Sequence, residues 1–348
     1  MAHLIYPVVQ AKVHKMNATD TLIDDEVFRF SGQSLIESWS LRDQLVSSTA
    51  RYRRWLSRDI HLTMQRIREL ADAFPFWQRQ KCTGRPPVRE RDLMIAFLVR
   101  QLFNATFRQL QGLLELLREY FVLDRVPHHT VLSRKNRSAR WTTIWHRFHD
   151  FVVASLPGRD VVVATDATGF SGRKRPWRET DHGLKATQDW VKTHAAIEVD
   201  SFIVLSYELT ASNVHESQMF SEVWNGLPNN VSPKRSLADS AYFGNECLVA
   251  ARQHGATPLH GIKKNARHFA RPETLYQKMT SFWQHWPNRA AELYGKRNHA
   301  ETAFSMIGGR FGHRIRCRTE NGRENEVRSK IAAHNIRMLA WLSFKSAN

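Results

Sequence analysis

A short apolar run in the middle of the chain constrains its fold more than any other stretch. The residues from Val161 to Thr165, V-V-V-A-T, are almost continuously apolar. Such a run is typical of a central strand that is buried on both faces, because a strand with one solvated face alternates apolar and polar residues. Asp166 follows directly. The pattern predicts a buried strand that ends at a carboxylate on the rim of a sheet, where ligands bind in open α/β folds.

Strand and helix patterns alternate after this first strand. The stretch W-V-K-T-H-A-A-I-E-V-D breaks at Asp200-Ser201 and continues as F-I-V-L-S-Y-E-L-T, which predicts a β-hairpin. We further expect a helix over residues 215–225, a strand ending at Asp239, a helix over 244–254 and a fifth strand at T-P-L-H-G-I. The second half of the chain is therefore expected to form an α/β domain with a mixed five-stranded sheet.

A third carboxylate lies in the stretch Y-G-K-R-N-H-A-E-T-A-F-S-M-I-G-G-R-F, residues 294–311. We predict one helix here, beginning after Pro287 and ended by Gly308-Gly309. Four residues would share one side of that helix: Tyr294, Arg297, Glu301 and Gly308. A solvated amphipathic helix would show the same periodicity, so a functional interpretation of Glu301 depends on the two aspartates elsewhere in the chain.

The order of the acidic residues Asp166, Asp239 and Glu301, together with Tyr294 and Arg297, resembles the DDE-type insertion-sequence transposases. The matching branch of these enzymes has a Y-(2)-R-(3)-E-(6)-K signature. The chain departs from it at the last position, where glycine replaces lysine. The stretches G-I-K-K-N-A-R and A-A-H-N-I-R-M-L are also similar to stretches of these enzymes, and the resemblance covers residues 83–343.

The resemblance implies a ribonuclease-H-like catalytic domain, preceded by an all-α DNA-binding region. On this interpretation residues 1–82 form an N-terminal helical region and residues 83–155 a helix-turn-helix-like DNA-binding region. Residues 156–348 form the catalytic domain, with an insertion at 263–293. The expected activity is metal-dependent cleavage at insertion-sequence ends and strand transfer into target DNA, by a homodimer bound to double-stranded DNA.

The proposed chemistry needs the three carboxylates to hold two Mg²⁺ or Mn²⁺ ions, because hard cations prefer oxygen ligands. Asp166 would bridge the ions, and Asp239 and Glu301 would each complete one of them. Two ions about 3.5–4 Å apart would activate the attacking oxygen and stabilise the leaving oxygen. Three histidines in related segments are expected to be structural and to lie outside the metal shell: His194, His215 and His299.

Several cationic and aromatic residues are candidates for DNA contacts. Arg297 offers a bidentate fork to a phosphate, and Tyr294 a hydroxyl, although simple packing of Tyr294 is the alternative. Arg310 would replace the missing lysine at Gly308 only from a different helical angle. The basic, aromatic insertion adds four candidates: Lys263, Lys264, Trp283 and Trp286.

One of the two indoles is expected to stack on a base displaced from the duplex. Trp283 is favoured because Trp286 precedes Pro287 and would be fixed in a turn. The alternative is that both indoles pack the insertion onto the fold.

The helical region before residue 156 carries two further DNA-binding predictions. A helix near 106–118, a break at Pro127 and a basic helix from 129 suggest a helix-turn-helix, with Arg134 and Arg137 facing the groove. A helical bundle with a basic exterior is the alternative. The Thr83-Gly84-Arg85-Pro86-Pro87 stretch is expected to be a linker, or else a minor-groove contact.

The composition agrees with a DNA-binding protein. The chain has 51 Lys and Arg against 33 Asp and Glu, a net charge of +18, and this surplus favours a polyanionic partner. We find no transmembrane run and no signal peptide, and the 3 cysteines show no zinc pattern. The expected location is the cytoplasm of a prokaryote, at the nucleoid.

Two other functions are compatible with these motifs. A metal-dependent nuclease on the same scaffold would cut DNA but would not join it. A catalytically inactive, transposase-derived DNA-binding or regulatory protein would explain the glycine at position 308, but the presence of all three acidic residues argues against it.

Overall fold

The computed structural model describes residues 32–77, 86–174, 178–180, 183–185, 188–263, 266–269 and 271–347. Three sequence predictions lie outside these residues: the N-terminal stretch before residue 32, the Thr83-Gly84-Arg85 part of the linker, and Lys264. The chain divides into two compact units. Residues 32–63 and 339–347 are the described part of the first unit, and the second unit is Met64–Met338.

The first unit is formed by parts of the two longest helices. These are the start of α1 (Gly32–Ala73) and the end of α12 (Glu320–Ala347). Its buried core contains Trp55 and Phe344, whose ring centroids are 5.7 Å apart, and Trp341 packs edge-on against Trp55 at 5.5 Å. Aromatic side chains of this size bury much apolar area in a small contact, which stabilises a two-helix unit.

The second unit begins with a group of short helices. They are α2 (Glu90–Leu102), α3 (Phe107–Leu116), α4 (Arg118–Phe121), α5 (His129–Asn136) and α6 (Ala139–Ala154). Helix α2 is buried on nearly all sides, as its apolar sequence requires. Helix α3 begins at a capping box, in which Thr106 and Gln109 each bond the backbone N–H of the other. Helices α3 and α5 are in contact, although the short helix α4 and residues 122–128 separate them in the chain.

The rest of the second unit is built on a mixed sheet. Its strands are β1 (Arg159–Lys174), β4 (Gln188–Glu198), β5 (Val204–Ala211), β6 (Val231–Ala238) and β7 (Thr257–His260), and β2 (Arg178–Thr180) pairs with β3 (Gly183–Lys185) separately. The order across the sheet is β5-β4-β1-β6-β7. Strand β4 is antiparallel to its neighbours β1 and β5, whereas β1, β6 and β7 are parallel. The predicted ribonuclease-H-like sheet is confirmed.

Helices cover this sheet and carry the late part of the chain. They are α7 (Phe220–Asn225), α8 (Asn245–Gln253), α9 (Leu275–His285), α10 (Pro287–Tyr294) and α11 (Asn298–Phe311). Helix α11 packs on β1 and β4 through a buried stripe that includes Ala300, Phe304 and Ile307, as its periodicity predicts. Among the described residues, every helix is too short or too polar to span a bilayer.

The sequence prediction of one helix from Pro287 to Gly308 is wrong. A turn of 3₁₀ helix, Gly295–Arg297, separates α10 from α11. Glycine at position 295 weakens an α-helix because it loses the most backbone freedom on folding. The far end also differs: α11 continues through Gly308-Gly309 to Phe311, and the residue with a positive φ is Gly312, at 80°.

Candidate active site

Two parallel strands bring Asp166 and Asp239 together. Thr165 of β1 pairs with Ala238 of β6 in parallel register, so each aspartate directly follows a member of the same pair. The first strand does not end there, contrary to the sequence prediction. Strand β1 runs on to Lys174 because β4 continues to pair with it, and Asp166 lies opposite Ala195. Asp166 is therefore at the point where β6 ends, not where its own strand ends.

Asp166 is the buried carboxylate of the three. Its residue is only 9% exposed, and Oδ1 accepts a hydrogen bond from the Ala167 N–H at 2.9 Å. Burial raises the pKa of Asp166 to about 6, with smaller contributions from the charges of Asp239 and Glu301. Ala167 N–H and the Arg297 charge oppose this shift. The three carboxylates together carry more negative charge than the single Arg297 guanidinium can neutralise.

Asp239 is held by its own backbone at the end of β6. Its Oδ1 accepts a hydrogen bond from the Ala241 N–H at 2.8 Å and thereby caps the 3₁₀ turn Ser240–Tyr242. The other oxygen, Oδ2, lies 3.7 Å from Nη2 of Arg297. One oxygen fixes the direction of the carboxylate, and the second points toward the other charged groups.

Arg297 joins the acidic residues of the sheet to that of the late helix. Its Nη1 forms an ion pair with Glu301, one turn along the chain, while Nη2 faces Asp239. Burial alone would lower the pKa of the guanidinium, but the charges of Asp166 and Glu301 outweigh burial and raise it. All three predicted acidic residues thus act on one guanidinium, and the structure brings the predicted set together around Arg297.

Tyr294 is fixed against the end of β6. Its hydroxyl donates a hydrogen bond to the Ala238 carbonyl at 3.2 Å, and the Gly261 N–H donates to the same oxygen at 2.8 Å. A Cβ at Gly261 would lie 2.9 Å from the Tyr294 hydroxyl and 3.2 Å from the Ser240 nitrogen. Position 261 therefore requires glycine for close approach, a role that the sequence analysis did not assign. Its sequence signal is a glycine directly after a predicted strand.

Gly308 is buried in α11 against His313. A Cβ at position 308 would overlap the imidazole ring of His313, so this arrangement has no room for the signature lysine. Arg310 is nine residues from Glu301, about half a turn around the helix, and therefore faces away from it. The structure does not place Arg310 with the acidic cluster.

The two tryptophans of the insertion differ in exposure. Trp283 donates its indole N–H to the His260 carbonyl at 2.9 Å and packs edge-on against Tyr294, with ring centroids 5.2 Å apart. Trp286 lies between α9 and α10 and is 65% exposed. The geometry favours Trp286, not Trp283, as the indole that is free to stack on a base.

The remaining predicted DNA contacts lie away from the acidic cluster or on its border. Lys263 is exposed in the loop after β7. Arg134 is exposed on α5, and Arg137 is exposed directly after that helix. The three histidines have local partners. His194 bonds Thr210, His215 bonds Ser217, and His299 bonds the Val199 carbonyl.

The acidic cluster has the type of donor atom that the predicted divalent cations prefer. Carboxylate oxygens suit Mg²⁺ and Mn²⁺, and three carboxylates act on a single guanidinium here, so the cluster carries a net negative charge. In the part of the chain that the structure describes, however, no group of three or more His, Cys, Asp or Glu side chains is close enough to hold an ion. The Arg297 guanidinium contacts Asp239 and Glu301 instead. The donor chemistry fits these ions. For all three carboxylates to hold an ion, Glu301 would have to turn toward the two aspartates and Arg297 would have to turn aside.

Comparison with known proteins identifies the family of the chain. The family model described as the transposase DDE domain matches residues 157–336, just over half of the chain. One similar solved structure is a cryo-EM structure of a piggyBac transposase synaptic complex with hairpin DNA. It has 10% sequence identity and a TM-score of 0.41, over 83% of this chain and 73% of that chain. On the strength of the family match, the chain belongs to the DDE transposases, which cleave DNA and transfer its strands.

Proposed function

We propose that Asp166, Asp239 and Glu301 are the catalytic carboxylates of this DNA transposase. Two observations carry the proposal: one guanidinium pairs with both Asp239 and Glu301, and the register of β1 and β6 sets Asp166 beside Asp239. Enzymes of this family generally use divalent metal ions. We propose that these three residues would together hold two Mg²⁺ or Mn²⁺ ions.

When bound, such ions would activate the attacking oxygen and stabilise the leaving oxygen of a phosphodiester. The protein contributes preorganised negative charge for this purpose. Asp166 is fixed by the sheet and Asp239 by its own 3₁₀ turn, so only Glu301, whose side chain is 58% exposed, has freedom to adjust. Fixed ligands on rigid elements reduce the reorganisation that cleavage requires.

Arg297 is proposed to exchange partners during the reaction. In the present arrangement it neutralises Asp239 and Glu301, and its Nε is a buried N–H without a partner among the described residues. A guanidinium released from these carboxylates presents a fork that matches a phosphate. We propose that Arg297 then binds a DNA phosphate beside the cleaved bond, while Tyr294 keeps the end of β6 in place.

The helical region is proposed to bind the insertion-sequence ends. Helix α5 buries Leu132 and Asn136. It exposes Thr130 and Arg134 on its other side, with Arg137 directly after the helix, as a recognition helix requires. We further propose that the chain divides into three regions, with boundaries at residues 82 and 155. The protein is proposed to act as a homodimer on double-stranded DNA, at the nucleoid of a prokaryote.

A strand-transfer assay on short duplexes with the element's ends tests this function. The assay combines the protein, Mg²⁺, labelled end DNA and a supercoiled target plasmid. Joined products are expected, because a transposase uses the freed 3′-hydroxyl to attack the target. Cleavage without joining would instead identify a nuclease, and binding without cleavage would identify a regulatory protein.

A further inference from the structure

A cavity lined by arginines lies between the helical region and the loop before α12. Its volume is about 330 Å³, which is room for a phosphate group and part of the adjoining sugar. The lining includes four arginines and three hydroxyl side chains, namely Arg100, Arg137, Arg316, Arg318, Ser133, Thr106 and Thr319. None of the residues assigned to the candidate active site lines it.

The charge of this cavity is largely uncompensated. Arg100 is 3% exposed and pairs with Glu326 at 3.3 Å, while its buried Nε has no partner among the described residues. In the same part of the structure, Arg137, Arg316 and Arg318 form no ion pair with an acidic side chain. The Cys317 thiol also lines the cavity, and burial raises its pKa to about 12, so it adds no negative charge.

The cavity is built on rigid supports. Glu326 of α12 accepts hydrogen bonds from the backbone N–H groups of Arg316 and Cys317, at 3.0–3.2 Å. The buried Lys330 donates to the carbonyls of Gly312 and Arg314, at 2.5 and 3.0 Å. These bonds fix the backbone of the arginine-bearing loop, so several cations are held close together despite their repulsion. An anion in the cavity would relieve that repulsion.

We propose that this cavity binds a phosphate of the DNA backbone and so holds the end DNA against both the helical region and the sheet. The proposal rests on the proposed function, because it takes end DNA as the ligand. One face of α5 leads into the cavity, with exposed or half-buried polar residues at helical spacing: Thr130, Ser133, Arg134 and Arg137. A free phosphate ion would fill only the cavity and would not contact this face of α5, whereas a DNA strand would contact the face along several nucleotides.

The same loop is joined directly to the strand that carries Asp166. Ser171 of β1 donates its N–H to the His313 carbonyl at 3.1 Å and accepts from the Ile315 N–H at 2.8 Å. Asp166 lies five residues before Ser171, about 16 Å along an extended strand. A phosphate in the cavity would therefore belong to a nucleotide several positions from the cleaved bond, which sets the register of the DNA.

The test compares Arg316→Ala, Arg318→Ala and their double variant with Arg252→Ala as matched control. Arg252 is an exposed arginine in the last turn of α8, outside the cavity. Affinity for end DNA is measured against salt concentration. Each lost phosphate contact should reduce the slope of log affinity against log salt by about 0.9, and the control should keep the wild-type slope. Equal slopes for all variants would overturn the proposal.

Two additional arms identify the ligand. Each phosphate of the end DNA is replaced in turn by an uncharged methylphosphonate. At one or two positions this replacement should weaken binding by the wild type. At the same positions it should not weaken binding by the double variant any further, because that variant has already lost the contact. If inorganic phosphate alone stabilises the wild type against heat, while the slopes and methylphosphonate effects are unchanged in the variants, the cavity is a free-anion site. Cleavage of end DNA by the wild type is measured separately. If the variants bind DNA less tightly as predicted but the wild type does not cleave, the proposed function is contradicted and the assignment of the cavity stands.

Discussion

The ionised form of Asp166, one of the three proposed catalytic carboxylates, is unfavourable for the fold. Its ionised form is opposed by burial and by two neighbouring carboxylates, which together raise its pKa to about 6. A raised pKa means that the folded protein favours the neutral acid. Its contribution to stability is complete below the pKa of the unfolded state, near 3.8, and is lost as the pH rises through about 6.

We therefore predict that Asp166→Asn stabilises the metal-free protein at neutral pH. A shift of about two pKa units corresponds to an upper limit of about 3 kcal/mol, and a gain of about 1–3 kcal/mol is expected at pH 7.5. The gain should decline as the pH falls from about 6 to 4. Thermal unfolding with a chelator present measures it, with Asp160→Asn, an exposed carboxylate of the same strand, as control. A variant less stable than the wild type at pH 7.5 would contradict this prediction.

Gly308 gives a second prediction at the scale of one residue. Gly308→Lys should destabilise the protein by about 0.5–1.5 kcal/mol, because its Cβ overlaps the His313 ring and this exposed ring must turn to a less favourable rotamer. The neighbouring Gly309 has no atom within 4 Å of a Cβ, so Gly309→Lys should be neutral or slightly stabilising in this helix. Denaturant unfolding compares the two.

Adding His313→Ala should restore the stability of Gly308→Lys and allow the lysine to reach DNA, which would tighten binding to the element's ends. If Gly308→Lys alone is as stable as Gly309→Lys, the His313 ring does not occupy this position. The glycine at 308 and the histidine at 313 would then be unrelated.

At the scale of elements, the sequence predicted the strands better than it predicted their ends. Apolar runs and alternation located all five strands of the large sheet, because burial on one or both faces leaves a direct pattern. The extension of β1 to Lys174 depends on pairing with β4, which is a distant contact that local pattern does not contain. The break between α10 and α11 was missed because periodicity continues across a short 3₁₀ turn.

The site was predictable to a similar degree. The order of the acidic residues and the Tyr-Arg-Glu spacing were readable from the sequence, but the contact of Arg297 with Asp239 requires the parallel register of β1 and β6. The arginine cavity was not predicted at all. Its members come from α2, α5 and the loop before α12, and only packing brings residues so far apart in the chain together.

The connection between α9 and α10 carries a prediction about the exposed indole. Trp286→Ala should abolish the brightening of 2-aminopurine at the terminal bases of the end DNA, because a stacked indole stabilises a displaced base by about 1–3 kcal/mol. Cleavage by this variant should recover partly on DNA that lacks the base. Trp283→Ala should instead lower thermal stability, because Trp283 packs on Tyr294 and bonds the His260 carbonyl. A wild-type signal in Trp286→Ala would show that its indole does not stack.

At the scale of the whole molecule, the charge of +18 predicts binding dominated by phosphate contacts. If the protein neutralises at least about six phosphates, log affinity should fall with log salt at a slope steeper than about −5. Fluorescence anisotropy over a range of salt concentrations measures this slope. An affinity that hardly changes with salt would contradict the prediction and would require a largely uncharged interface.

The central claim is that three carboxylates on separate elements act as one catalytic group. The most direct measurement is the rate of end-DNA cleavage in Mg²⁺ by Asp166→Asn, Asp239→Asn and Glu301→Gln, with Asp160→Asn as the matched control on β1. Each of the three variants should lose cleavage by several orders of magnitude and still bind end DNA, because most of the binding charge lies elsewhere. The control should cleave at the wild-type rate. Near-wild-type cleavage by any one of the three would remove that residue from the site and contradict the claim.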